Sequence, residues 1–384
     1  MYLSRVKIVY STGRIAFACG LFFLTLLFSS CGTVRSFRGD FSEDRRQRIE
    51  QSPNWQDGRF RNQEACNPDE EGWFSYSVSL LFSGGGTRPS SPVPVVKTDL
   101  HSLGREKECA VWFGHASLFL QVGGVRYLVD PVLTNVWPQR MLLRPFNGTK
   151  RAFAPEDIPD IDVLLITHSH WDHLDYFTIR ALKDRVGLFV CPLGVGAYLE
   201  HWGCPADRIR ELDWDEQVDI VPGVAIRALP TVHNSRRFIT QDKTLWMAAL
   251  IETRDAARLH RVFISGDGGY GKHFAQIREH YGPIDLAVME NGQYNEQFHT
   301  VHTRPEELLM EIDALAPRMV LPYHNAKYAL AKHPWDEPME RLYESAKGKP
   351  YLLLTPRIGD LVDFASDTLP TAPWWREMDD HPAN

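Results

Sequence analysis

Residues 167–175 read Thr-His-Ser-His-Trp-Asp-His-Leu-Asp, and no other stretch constrains the chain as strongly. Three imidazoles and a carboxylate (His168, His170, Asp172 and His173) follow directly on an apolar run from Val163 to Ile166. Such a run reads as a strand buried on both faces. A strand ending in ligating side chains is how an α/β sheet presents a reaction site at its carboxyl edge. His168 and His170 stand two apart, so an extended backbone projects both to one side. Asp172 and His173 come where the chain must bend toward a helix, and they can face a second cation. Imidazole nitrogen and carboxylate oxygen are the donors of catalytic rather than structural zinc. Two cations need more donors than these, so the motif demands distant partners.

Those partners stand where later apolar strands stop. His233 follows residues 224–229, Asp267 follows 262–265, and His324 follows 319–323. Alone, each is an ordinary loop residue; together they complete the donor set.

The compact domain is expected from about residue 108 to 366. Val111 to Phe113 and Ser117 to Val122 read as strands, Gly123-Gly124 as a two-residue hairpin turn, and Val125 to Val129 as the return strand. Helices are expected near 175–182 and 195–201. Residues 31–107 read as a tether and an N-terminal extension packing on the core, and 367–384 as a C-terminal tail.

The first thirty residues read as an export signal. Arg5, Lys7 and Arg14 precede an apolar run, Ile15 to Phe28, which is short for a membrane span. Leu27-Phe28-Ser29-Ser30-Cys31 resembles a bacterial lipobox, which implies a lipidated Cys31 and a membrane-anchored lipoprotein of the bacterial cell envelope. Loss of that segment leaves 39 basic against 49 acidic side chains, a net charge of −10. That balance is unsuited to gripping a phosphate backbone, so no nucleic-acid partner is expected. Of six cysteines, Cys66, Cys109, Cys191 and Cys204 remain to pair or stay free in the exported chain.

The motifs together resemble the metallo-β-lactamase-fold hydrolases, in the branch that contains N-acyl-phosphatidylethanolamine phospholipase D. The carrying residues are Trp112 to Ser117, Asp130-Pro131, the 168–173 motif, Ser235-Arg236-Arg237, Leu245-Trp246, Gly266 to Tyr270 and His302; 52–60 resembles the same branch. The resemblance implies an αββα sandwich with two metal ions. One is held by His168, His170 and His233, the other by Asp172, His173 and His324, and Asp267 bridges them. It also implies a catalytic role for His302. Gly268 departs from the family's Thr, residues 324–327 from a His-Trp-Gly sequence, and 290–294 are more polar than their counterpart.

The expected cofactor is a pair of Zn²⁺ ions, with iron or manganese able to occupy the same donors. Their expected role is to ionise a bridging water near neutral pH and to stabilise the developing oxyanion, with Asp172, Asp267 and His302 as catalytic residues. The expected substrate is a phospholipid or other phosphodiester, the alternative a lactone or other acyl bond. Asp130 and His115 are candidates to support ligating groups. Arg236, Arg237 and Tyr270 are candidates to meet substrate. Oligomeric state is left open.

Overall fold

The structure is a computed structural model that describes residues 35–64, 86–134, 143–237, 240–254, 256–295 and 300–378. Fourteen strands form two seven-stranded mixed sheets. In the first, β1 (Cys109–Trp112), β2 (Leu118–Val122) and β3 (Val125–Val129) run antiparallel, and β4 (Ile161–Leu165), β5 (Val186–Pro192) and β6 (Ile209–Leu212) continue parallel. Gly123 and Gly124, at φ +60° and +73°, make the tight turn that joins β2 to β3.

The second sheet repeats the plan. β7 (Gln217–Val221), β8 (Val224–Leu229), β9 (Ala248–Thr253) and β10 (Arg261–Ile264) are antiparallel. β11 (Leu286–Glu290), β12 (Met319–Tyr323) and β13 (Leu352–Leu353) extend it in parallel from β10. β14 (Leu361–Asp363) crosses back to pair with β1 in the first sheet. Because β8 lies two antiparallel steps from β10, the carboxyl ends of β8, β10 and β12 meet at one edge.

Period-2 burial explains the layering. Along the second sheet Ile251, Val262, Ile264, Val288 and Leu321 join the large core that also holds the first sheet. Their alternates Leu250, Phe263, Ala287, Met289 and Val320 face a second core built with three helices. Those helices are α4 (His273–Tyr281), α5 (Pro305–Leu315) and α6 (Glu337–Ser345). Helices α2 (Tyr176–Leu182) and α3 (Gly196–His201) pack with the first sheet. Helix α2 starts where Asp175 accepts a hydrogen bond from the Phe177 amide. The fold is an αββα sandwich.

The N-terminal extension is fastened to this core. Helix α1 (Glu43–Glu50) is pinned by Arg45 to Glu211 at 2.7 Å and Glu200 at 2.9 Å. The C-terminal segment does not behave as a tail over its described part: Trp374 and Trp375 are buried, and Trp375 donates to Glu340 at 2.8 Å. Cys109, Cys191 and Cys204 are free and buried. The expected signal segment, Cys31 and Cys66 lie outside the described residues.

Candidate metal centre

The motif loop leaves β4 in extended form and then closes a turn, in which the amides of His173 and Leu174 both return to the His170 carbonyl. Helix α2 starts only at Tyr176, so Asp172 and His173 project from that turn and not from a helix. Three site residues sit in the left-handed region: His115 at φ 54°, Asp130 at φ 40° and His324 at φ 66°. For side chains of this size that backbone is sparsely populated and is held by its surroundings. Here the loops hold each other: the His115 amide donates to the Asn325 carbonyl at 2.9 Å, and the His324 amide to the His115 carbonyl at 2.8 Å.

The donors converge in two groups. Nε2 of His168 lies 2.9 Å from Nδ1 of His170, which lies 3.2 Å from Nε2 of His233. Asp267 Oδ2 closes this group at 3.9 Å from His168 and 4.0 Å from His233. In the second, Nε2 atoms of His173 and His324 are 3.4 Å apart and each is 3.2 Å from an Asp267 oxygen. Asp172 Oδ2 lies 3.5 Å from His324 and 3.7 Å from His173. A tetrahedral ion with bonds near 2.0–2.1 Å has ligand–ligand edges of ~3.3 Å, the scale of both groups. Asp267 belongs to both.

Charge points the same way. Burial lowers His168 and His233 well below the usual imidazole range and His170 to about 4, which leaves lone pairs free. Burial also opposes a proton on His173, but Asp267, Asp130 and Asp172 outweigh it and push that ring to about 10. His324 is driven well above its ordinary value against burial, chiefly by Asp267. Positive charge therefore belongs between these rings, and divalent cations supply it. The residues fit a pair of metal ions.

Supporting contacts fix the rings. Asp130 Oδ2 is 2.8 Å from His173 Nδ1 and accepts from the Thr167 hydroxyl at 2.6 Å. His115 Nε2 is 2.8 Å from Asp172 Oδ2, and burial lowers its pKa to about 3, so it donates as a neutral ring. His233 Nδ1 is 2.9 Å from the Val301 carbonyl. The ring of His302 stands 5.2 Å from that of His233 and 5.8 Å from that of His324.

Arg237 corrects the reading that would place it against a substrate anion. It is 1% exposed. It donates to the carbonyls of Ser36 at 2.9 Å and of Ser169 and Leu174 at 3.0 Å, and lies 4.0 Å over the Trp171 ring. The guanidinium clamps the metal loop to the N-terminal segment. Its usefulness for that is its rigid fork of donors. Arg236 is half-buried and pairs with Gln241, and Tyr270 is exposed at 42%.

Two residues were not singled out from sequence. The Asn62 side chain accepts from the His233 amide at 3.0 Å and donates to the His233 carbonyl at 2.8 Å. Nothing local marks it, because its partner lies 171 residues away. Glu290 ends β11, between the strands that deliver Asp267 and His324. A carboxylate at a strand end was the available signal.

Paired donor sets sharing one aspartate, at the edges of two facing mixed sheets, define a metallo-β-lactamase-fold hydrolase. A model described as a β-lactamase superfamily domain matches residues 125–325, and the chain belongs to that superfamily. An uncharacterised protein of Mycobacterium tuberculosis is 34% identical over 341 residues, covering 85% of this chain and 88% of that one. N-acyl-phosphatidylethanolamine-hydrolyzing phospholipase D 1 of Caenorhabditis elegans is 30% identical over 255 residues, 61% of this chain and 68% of that one. Among solved structures, CmlA, a diiron β-hydroxylase from Streptomyces venezuelae, superposes with a TM-score of 0.53 at 20% identity, over 67% and 54% of the two chains.

Proposed function

We propose that this metal-dependent hydrolase is a phosphodiesterase of phospholipase D type. Its substrate is a bilayer phospholipid such as N-acyl-phosphatidylethanolamine, or a related phosphodiester. The observation that carries the reading is His302 beside two donor sets joined by Asp267, together with 30% identity to a phospholipase D of that substrate. His168, His170 and His233 would hold one ion and Asp172, His173 and His324 the other, with Asp267 available to both. Bound there, divalent cations lower the pKa of water and stabilise charge developing on a phosphoryl oxygen. Asp172 is oriented by His115, and His173 by Asp130, so the donors are set before substrate arrives. His302 holds its Nδ1 against Glu290 at 2.5 Å, which leaves Nε2 to meet the phosphate. As water oxygen adds to phosphorus its proton passes to Nε2 of His302, the bond to the headgroup alcohol breaks, and His302 gives that proton to the departing oxygen. Zinc is the proposed metal, with iron or manganese the alternatives. A lipid on Cys31 would hold the enzyme at the envelope membrane where its substrate lies.

A second reading, hydrolysis of a lactone or other acyl bond, draws on the polar 290–294 segment, where the chain departs from the phospholipases. The test is turnover by the full chain in detergent, loaded with zinc, iron or manganese. Bis-p-nitrophenyl phosphate, N-acyl-phosphatidylethanolamine vesicles and a lactone panel would be offered, with Asp267→Asn as control. Phosphodiester cleavage lost in that variant supports the proposal. Bound metal with lactone cleavage only replaces it by the second reading.

A further inference from the structure

Glu290 stands at the carboxyl end of β11, 2% exposed. Its Oε1 lies 2.5 Å from His302 Nδ1 and 3.2 Å from His324 Nδ1. Its Oε2 accepts the Gly268 amide at 2.7 Å, one residue after Asp267. One carboxylate therefore touches a ligating ring, the ring beside the ligands, and the peptide that follows the shared aspartate. The two rings lie nearly parallel, at an interplanar angle of 10°. A carboxylate oxygen accepts hydrogen bonds, so His302 presents Nδ1–H to it at 2.5 Å; His324 Nδ1, at 3.2 Å, makes no aligned hydrogen bond, but the adjacent oxygen favours a proton on that nitrogen as well. That choice leaves Nε2 of His324 as the lone-pair nitrogen, the atom that faces Asp172 and Asp267. It leaves Nε2 of His302 free in the same way.

We propose that Glu290 is the positioning residue that couples the second metal site to His302, fixing the tautomer and tilt of both rings through a single oxygen. The inference deepens the reading of this site as binuclear but does not depend on which ester is cut. Glutamine has nearly the same shape yet cannot replace it. With its oxygen toward the rings, its amino group meets the Gly268 N–H; turned over, it meets two ring N–H groups. Either way buried donors face each other. Aspartate is one methylene short of spanning the rings and the Gly268 amide.

The experiment titrates metal into the full chain and its Glu290→Gln and His302→Gln variants by chelator competition, with elemental analysis. Outer partners of ligating histidines typically contribute 10–100-fold in affinity. Glu290→Gln is expected to lose about that much at one of two sites, keeping the ion held by His168, His170 and His233. His302→Gln is expected to retain both ions. Two ions bound by Glu290→Gln at wild-type affinity would overturn the proposal. A wild type that binds fewer than two ions would instead remove the binuclear reading itself. Nitrogen-15 spectra of the wild-type rings give a test that needs no variant: both His302 and His324 are expected as Nδ1–H tautomers, and an Nε2–H form of either sinks the idea.

Discussion

Replacing Arg237 by methionine separates a structural clamp from a substrate contact. The change keeps the apolar stem and removes the fork. Three hydrogen bonds from a charged donor, to Ser36, Ser169 and Leu174, are lost. At about 1.5–3 kcal/mol each they contribute roughly 5–9 kcal/mol. Against this stands the cost of burying the guanidinium, which lowers its pKa to about 10 from 12.5. At ~1.4 kcal/mol per unit that cost is ~3 kcal/mol. The net loss expected for Arg237→Met is therefore about 2–6 kcal/mol, before the Trp171 contact is counted. Denaturant unfolding of the metal-free protein measures it. Because two of the lost bonds end on carbonyls inside the 168–174 loop, metal retention should fall as well, while KM of the surviving folded fraction stays within about twofold. An unchanged unfolding midpoint with a raised KM would refute the clamp and return Arg237 to the substrate.

Burial alone lowers His273 to about 4, whereas the unfolded ring protonates near 6.5. The unfolded chain thus binds the extra proton first, so this group's contribution is complete above pH 6.5 and lost as pH falls to about 4. Relative to wild type, His273→Gln should flatten the acid limb of stability by ~3 kcal/mol, as followed by urea unfolding across that window. Asn62→Ala should cost about 1–3 kcal/mol and weaken metal binding at the His233 site, because both backbone groups of His233 lose their partner; an unaltered chelator titration contradicts this. A Cβ at Gly268 would stand 2.1 Å from the Thr231 hydroxyl, so Gly268→Thr should destabilise the chain, and Thr231→Ala should restore much of the loss. Thermal unfolding of the single and double variants decides it.

The parts legible in the sequence are those governed by short-range pattern. The hairpin at Gly123-Gly124 follows from two adjacent residues, and the strand before the motif from an unbroken apolar run. The αββα class came through resemblance, and the superfamily match agrees with it. Burial of a charged side chain was not legible. Arg237 sits beside Arg236 in an exposed-looking polar stretch, and only the arrival of Ser36, Ser169 and Trp171 from elsewhere encloses it. Trp374 and Trp375 lie in no periodic element of the sequence, yet both are buried, and Trp375 docks on α6 through Glu340 and Tyr343. Residues 35–64 carry no ligand, and their part in the centre exists only across sequence distances that local pattern cannot span.

Those distances bear on how the centre comes into being. Ser36 must wait for Arg237, 201 residues later, and Asn62 for His233, 171 residues later. At about 5–20 residues per second of synthesis the first of these delays is on the order of 10–40 s. The segment around Ser36 and Asn62, made early, is thus among the last to find its place. A nascent chain stopped before Arg237 has the three-histidine motif but neither the clamp on its loop nor Asp267, so cation capture belongs to the nearly complete polypeptide.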